Sequence, residues 1–191
     1  MSLIPAFEVG VCNAWIFMLL VTLLMILPFV VPSLRKEMLK RMATGTPFNK
    51  AEKILDNLST ALFVLAFIYS IFLPLKLGTV WFYTGLPVFL IGCIIQWTAF
   101  VKWQATPLDV PITVGPYRYS RHPMYLSWFI QFLGVGLAAA SWLFLLLMVV
   151  YIIILNILAA PEERFCLEKY GESYRRYMNR TPRWLGIPKS G

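Results

Sequence analysis

Apolar residues run along this chain in long blocks broken by short polar stretches. The first block is Val11 to Pro32, where Pro28 and Pro32 predict a kinked or frayed end. The second is Leu58 to Leu75, and the third is Val80 to Val101, which contains Gly85, Pro87 and Gly92. Met124 to Ala160 then covers 37 residues without a formal charge. As one helix that segment would be about 55 Å long, against a hydrocarbon core of about 30 Å. A helical hairpin bent near Gly136 to Ser141, where small residues cluster, resolves the mismatch. The pattern therefore predicts an all-α integral membrane protein with five transmembrane helices, the last two forming the hairpin.

The polar stretches complete the plan. Ser33 to Asn57 is charged, and Leu34 to Met42 within it predicts an interfacial amphipathic helix. Lys76, Gly78 and Thr79 mark a tight turn. Lys102 to Tyr125 has mixed polarity and three prolines, Pro107, Pro111 and Pro116. After Pro161 a charged amphipathic tail predicts a cytoplasmic C-terminal helix and ends at Arg183, Trp184, Leu185 and Gly186. Residues 1–101 read as an N-terminal three-helix membrane region, and 102–191 as the region that carries the chemistry. There is no internal repeat.

Composition sharpens this reading. Hydrophobic residues are 59% of the chain and charged ones 14%, where a soluble domain carries about a quarter charged. Disordered chains, disulfide scaffolds and soluble globular folds are excluded. The net charge of +8 does not mark a nucleic-acid surface, because the basic residues lie between apolar spans. With five spans, 16 of the 17 Lys and Arg fall on one face and only Lys76 on the other. The positive-inside rule then puts the N-terminus outside and the C-terminus in the cytoplasm. The first apolar block lacks a basic n-region and is too long for a signal peptide, so it reads as a retained span. The short chain without targeting signals points to a prokaryotic inner membrane. Cys12, Cys93 and Cys166 match no metal spacing, and no metal site is expected.

This topology returns the chain to the face it left, so the two feet of the hairpin should meet there. The first foot reads Gly115-Pro116-Tyr117-Arg118-Tyr119-Ser120-Arg121-His122-Pro123-Met124-Tyr125, and the second Pro161-Glu162-Glu163-Arg164. Proline at a first helical position places His122, the single histidine, at the N-cap. A helix start offers free N–H groups and a favourable dipole to an anion. Two adjacent carboxylates at a membrane boundary are costly unless paired, and can accept ribose hydroxyls or face a cation. Each piece also has a plainer reading. Arg118 and Arg121 serve as positive-inside anchors, and Tyr117, Tyr119, Tyr125 and Trp128 as an aromatic belt. Gln96, Gln131 and Asn156, polar within spans, are either helix–helix contacts or contacts to a substrate. Gly134-Val135-Gly136 is no dinucleotide fingerprint, because no strand precedes it.

Taken together, Gly115-Pro116-Tyr117, Arg121-His122-Pro123-Met124-Tyr125, the apolar hairpin, Glu162-Glu163 and Tyr170-Gly171-Glu172-Ser173-Tyr174-Arg175-Arg176-Tyr177 resemble the membrane methyltransferases. These comprise the isoprenylcysteine carboxyl methyltransferases and their phospholipid methyltransferase relatives. The resemblance covers roughly Lys102 to Leu185. It implies an S-adenosyl-L-methionine site in which the strand-like segment Asp109-Val110-Pro111-Ile112 and Tyr117 line the cofactor. His122, Pro123, Met124 and Tyr125 would wrap it from the start of the fourth span, and Glu162 would reach it from the end of the fifth. Its carboxylate would meet the Arg121/His122 helix start. Glu163, Arg164 and Arg121 are the candidate catalytic residues, with Glu163 or Arg164 positioning the acceptor or managing its charge; Asn156 and Gln131, from their polarity within spans, are the candidate substrate contacts. The acceptor implied is lipophilic or small, a carboxylate, amine, hydroxyl or thiol, entering from the surrounding membrane lipids. In two places the chain departs from the isoprenylcysteine branch. Leu158 stands where an arginine contacts the prenylcysteine substrate, and Asp109 where a histidine is usual.

Two other functions compete. A reductase of the sterol type looks similar in its C-terminal half and uses NADPH, but normally has more spans and a more basic phosphate pocket than 191 residues hold. A non-enzymatic membrane protein such as a transporter would place its polar residues near the midplane instead of at converging feet.

Overall fold

The computed structural model describes residues 8–188. It is built from seven α-helices and one 3₁₀ turn among those residues. Helices α1 (Trp15–Val30) and α2 (Pro32–Ala43) meet at a sharp bend, followed by α3 (Lys50–Ile71) and α4 (Val80–Ala105). A 3₁₀ turn (Gly115–Arg118) leads into α5 (Pro123–Ala138), α6 (Trp142–Tyr170) and α7 (Glu172–Arg180). Among the described residues three helices, α3, α4 and α6, are long and apolar enough to cross a membrane, and the bent α1–α2 pair is a fourth when counted as one broken span. At 16 residues α5 is apolar but shorter.

Local chemistry explains the boundaries. Asn49 and Glu52 form a capping box at the start of α3, each side chain accepting from the other's backbone N–H at 2.9 and 2.8 Å. Ser141 caps α6 by accepting from the Phe144 N–H at 3.2 Å. The hairpin bend is the short turn between Ala138 and Trp142, within the segment where small residues predicted it. The Leu34–Met42 stretch is helical, as part of α2.

Two readings of the sequence need correction. The tail after Pro161 does not begin as a separate helix: α6 runs through Pro161 to Tyr170 and carries the first nine tail residues as helix. A proline inside a helix removes one backbone hydrogen bond, yet the helix continues here, with Pro161 and Glu163 both buried. The Asp109–Ile112 segment is not strand-like. It is turn and irregular loop, as Pro107 before it and Pro111 within it favour.

Helices α4 and α5 make the closest contact. A Cβ on Gly134 would lie 2.5 Å from the Phe89 nitrogen, and one on Gly92 2.7 Å from Gln131 Cγ. Small residues let the two backbones approach, as in membrane helix pairs generally. Gln131 is fully buried in this seam and donates to Gln96 Oε1 at 2.8 Å.

The ends of the bundle differ in kind. At one end, Ala14 donates to the Leu73 carbonyl at 2.8 Å and Lys76 to the Ala138 carbonyl at 3.0 Å. The N-terminal segment, the α3–α4 turn and the hairpin bend therefore gather there. At the other end, Arg164 meets Glu52, Gln104 donates to the Leu34 carbonyl, and Tyr170 donates to the Leu108 carbonyl. Nearly all the charge lies at this second end.

Candidate active site

The two feet of the hairpin touch. Gly115, with φ of 62°, turns the chain out of the α4–α5 loop, and the 3₁₀ turn that follows buries Tyr117. Tyr117 packs with Ala99, Tyr174 and Tyr177, and the Tyr177 hydroxyl donates to the Tyr117 carbonyl at 2.7 Å. Ser120 Oγ accepts from the His122 N–H at 3.1 Å and donates to the Arg183 carbonyl at 3.2 Å. His122 is thus held at the N-cap with Pro123 as first helical residue.

His122 bridges the two carboxylates. Its Nδ1 lies 3.3 Å from Glu162 Oε2 and its Nε2 3.1 Å from Glu163 Oε1. Carboxylates only accept, so both ring nitrogens must donate and the imidazolium is the matching form. Glu163 is the hub. Arg121 Nε donates to Oε1 at 2.9 Å, and Arg183 donates to Oε1 at 3.1 Å and to Oε2 at 2.6 Å. Arg121 further donates to the carbonyls of Met178 and Thr181. The Glu163 side chain is 4% exposed, so three cationic groups compensate one buried carboxylate. Glu162, 32% exposed, accepts from the Tyr125 hydroxyl and faces the open side. His122 stacks on Tyr125 with ring centroids 5.5 Å apart, and Trp128 follows, tilted against Tyr125 at 5.6 Å.

Burial by itself would lower the His122 pKa, but hydrogen bonds and charge from Glu162 and Glu163 outweigh it and raise the value. A raised folded-state pKa stabilises fully below the unfolded value of about 6.5, and the gain is lost as pH rises through the folded value. Thermal unfolding in detergent is therefore expected to show Tm falling above neutral pH, and falling less in His122→Gln. Parallel pH profiles for the two proteins would overturn the bridging role.

A cavity of about 430 Å³ opens against this cluster, within the range of small-molecule sites. Of the residues expected to hold a cofactor, Pro111, Ile112, Tyr117, His122, Pro123, Met124, Tyr125 and Glu162 line it, and Arg121 does too. Asp109 and Val110 do not. Among the described residues Glu162 is the one acidic residue in the wall, while Arg41, Arg121 and Lys169 are basic there. Glu163 is turned into its ion network behind the wall, and Arg164 pairs with Glu52 at 3.0 Å. Gln131 sits in the α4–α5 seam, and Asn156 is exposed and accepts from Trp184 Nε1 at 3.2 Å. Neither lines the cavity.

Sequence reasoning missed several contributors. Thr44, Gly45 and Thr46 reach the cavity from the α2–α3 loop, beside Arg41, whose guanidinium lies 4.9 Å from the Trp103 ring. Trp103 closes the end of α4. Arg183, read only as part of a basic tail, is the second arginine on Glu163. Trp128, read as belt, lines the cavity with a buried Nε1–H that has no partner among the described residues. The polar run Thr44-Gly45-Thr46 between two helices was the one local signal for the N-terminal share.

A family described as phospholipid methyltransferase matches residues 77–173. The match takes in α4, the 3₁₀ turn, both hairpin arms and the start of α7, just over half of the chain. It leaves out Arg183 and the α2–α3 loop. No curated protein matches the chain.

Proposed function

Since this chain belongs to the phospholipid methyltransferase family of integral membrane methyltransferases, we propose that its cavity takes S-adenosyl-L-methionine and that the methyl acceptor is a lipophilic or small molecule. The observation that carries this reading is the single carboxylate among the described residues of the cavity wall, Glu162, which shares that wall with aromatic rings and with the basic side chains Arg41, Arg121 and Lys169. The donor set fits such a cofactor. A carboxylate suits its amino group and ribose hydroxyls, Arg41 and Lys169 its carboxylate, and the unpartnered Trp128 N–H one more acceptor. Aromatic faces such as Tyr125 and Trp128 favour a positive sulfonium centre. When bound, the cofactor supplies a methyl group already activated for in-line displacement.

The chain's own part is then positioning and water exclusion. Glu162 and Tyr125 hold the ligand, and His122 fixes the Glu162 carboxylate. Glu163 acts behind them as a positioning residue, by clamping Arg121, His122 and Arg183. This revises the roles expected for Glu163 and Arg164, since neither faces the cavity. With Leu158 fully buried, nothing at that position offers the charge a prenylcysteine carboxylate would meet.

We further propose five crossings by α1, α3, α4, α5 and α6, with the N-terminus outside and the charged end in the cytoplasm. Gathering of the N-terminal segment with both opposite turns supports that parity. The region 102–191 supplies most of the cavity, with Arg41 and Thr44 to Thr46 closing it from the N-terminal region.

Calorimetry on the detergent-solubilised full chain tests the function. S-adenosylhomocysteine is expected to bind in the micromolar range and NADPH not at all. Binding of NADPH without S-adenosylhomocysteine would refute the reading. Incubation of labelled methyl donor with a membrane lipid extract then identifies the acceptor by what gains the label.

A further inference from the structure

A second cavity, of about 420 Å³, lies beside the first, and buried Tyr177 lines both. Three arginines line its wall, Arg118 from the 3₁₀ turn and Arg176 and Arg180 from α7. Arg176 and Arg180 are four residues apart and so share a helix face. The hydroxyl residues Thr113, Ser173 and Thr181 complete the polar wall, and among the described residues no acidic one lines it. The acid at the start of α7, Glu172, lies 3.6 Å from Arg175 instead. Among the described residues, no hydrogen bond or ion pair engages the three guanidiniums.

Three like charges around one cleft repel each other unless an anion sits between them. Guanidinium forks match the oxygens of phosphate bidentately, and hydroxyls add further donors. The cleft is also of the size of a small-molecule site, larger than a bare oxyanion needs. We propose that this cleft is a phosphate-binding site, separate from the active cavity, for the phosphate of an anionic lipid headgroup or of a soluble phosphate compound. Its place at the basic end of the bundle suits a headgroup, because anionic lipids concentrate at the cytoplasmic surface. Occupancy would brace the 3₁₀ turn against α7, where the Tyr177 hydroxyl already donates to the Tyr117 carbonyl.

The test titrates the full chain in neutral detergent with two probes, dihexanoyl phosphatidic acid and inorganic phosphate. The R118Q/R176Q/R180Q variant is expected to bind about tenfold more weakly than the wild type. An R35Q/K36Q/K53Q control, which removes the same charge elsewhere, is expected to bind like the wild type. Arginine-dependent binding of phosphatidic acid alone assigns the headgroup, and equal arginine-dependent binding of inorganic phosphate assigns the soluble ligand. If the triple variant fails to fold, R176Q and R180Q are read singly in the same titration. Unchanged affinity in the arginine variants, or an equal loss in the control, overturns the proposal. S-adenosylhomocysteine binding, measured in parallel, reports separately on the active cavity.

Discussion

Glu163→Gln is expected to destabilise the protein by about 3 kcal/mol, the lower end of the cost of breaking a buried ion pair. Glutamine keeps the shape of the side chain and removes its charge. Arg121 and His122, 11% and 7% exposed, would then lie buried with no carboxylate hub between them. Arg183, at 36% exposure, can turn to water, which keeps the loss at the low end. Thermal unfolding in detergent should show a fall in Tm of about 5 °C or more. Arg164→Gln makes the comparison sharp. It removes a charge one residue away, but from a guanidinium 53% exposed in its pair with Glu52, and exposed pairs contribute about 0–1 kcal/mol. Similar Tm values for the two variants would mean that the hub does not hold the feet together.

This contrast between neighbours shows what the chain's pattern could and could not reveal. The hairpin was legible because 37 uncharged residues cannot cross a bilayer once, and small residues mark the bend. The meeting of the feet was legible from charge parity, and the contacts of His122 with Glu162 and Glu163 agree with it. Which of the two glutamates faces the cavity was not legible. Adjacent helical residues point about 100° apart, so one faces in and the other faces the loop, but the rotation of α6 is set by packing. That rotation depends on α6 continuing through Pro161, which local sequence reads as a stop. Arg183 was hidden for another reason. It lies 20 residues beyond Glu163, past α7, and only the return of the tail across the feet brings it back. The tail is held there by backbone hydrogen bonds, from Arg121 to Pro182 and from Gly186 to Tyr119, which carry no side-chain signature. The same applies to Arg41 and Thr44 to Thr46, whose approach depends on how α2 lies across the end of α4.

Glu162→Gln is expected to weaken S-adenosylhomocysteine binding about 10- to 100-fold while leaving Tm near the wild type. The range follows from losing a hydrogen bond to a charged group, about 1.5–3 kcal/mol. Glu162 is the only carboxylate in the cavity wall among the described residues, so no other side chain there can supply a charged acceptor in its place. Its side chain is 32% exposed and its fixed protein partners are Tyr125 and His122. Loss of charge therefore leaves little that is both buried and unpaired. Tyr125→Phe separates holding from orienting. It deletes the hydroxyl that donates to Glu162 but keeps the ring stacked on His122, so it should weaken binding less than Glu162→Gln and leave Tm unchanged. The pair Glu162→Gln and Glu163→Gln thus predicts opposite signatures from adjacent, chemically identical residues. One loses ligand and keeps its fold; the other loses stability first and ligand through it. Preserved S-adenosylhomocysteine affinity in Glu162→Gln, with Tm also intact, would remove Glu162 from the site, and the cavity at the hairpin feet would have to bind through its aromatic and basic residues alone.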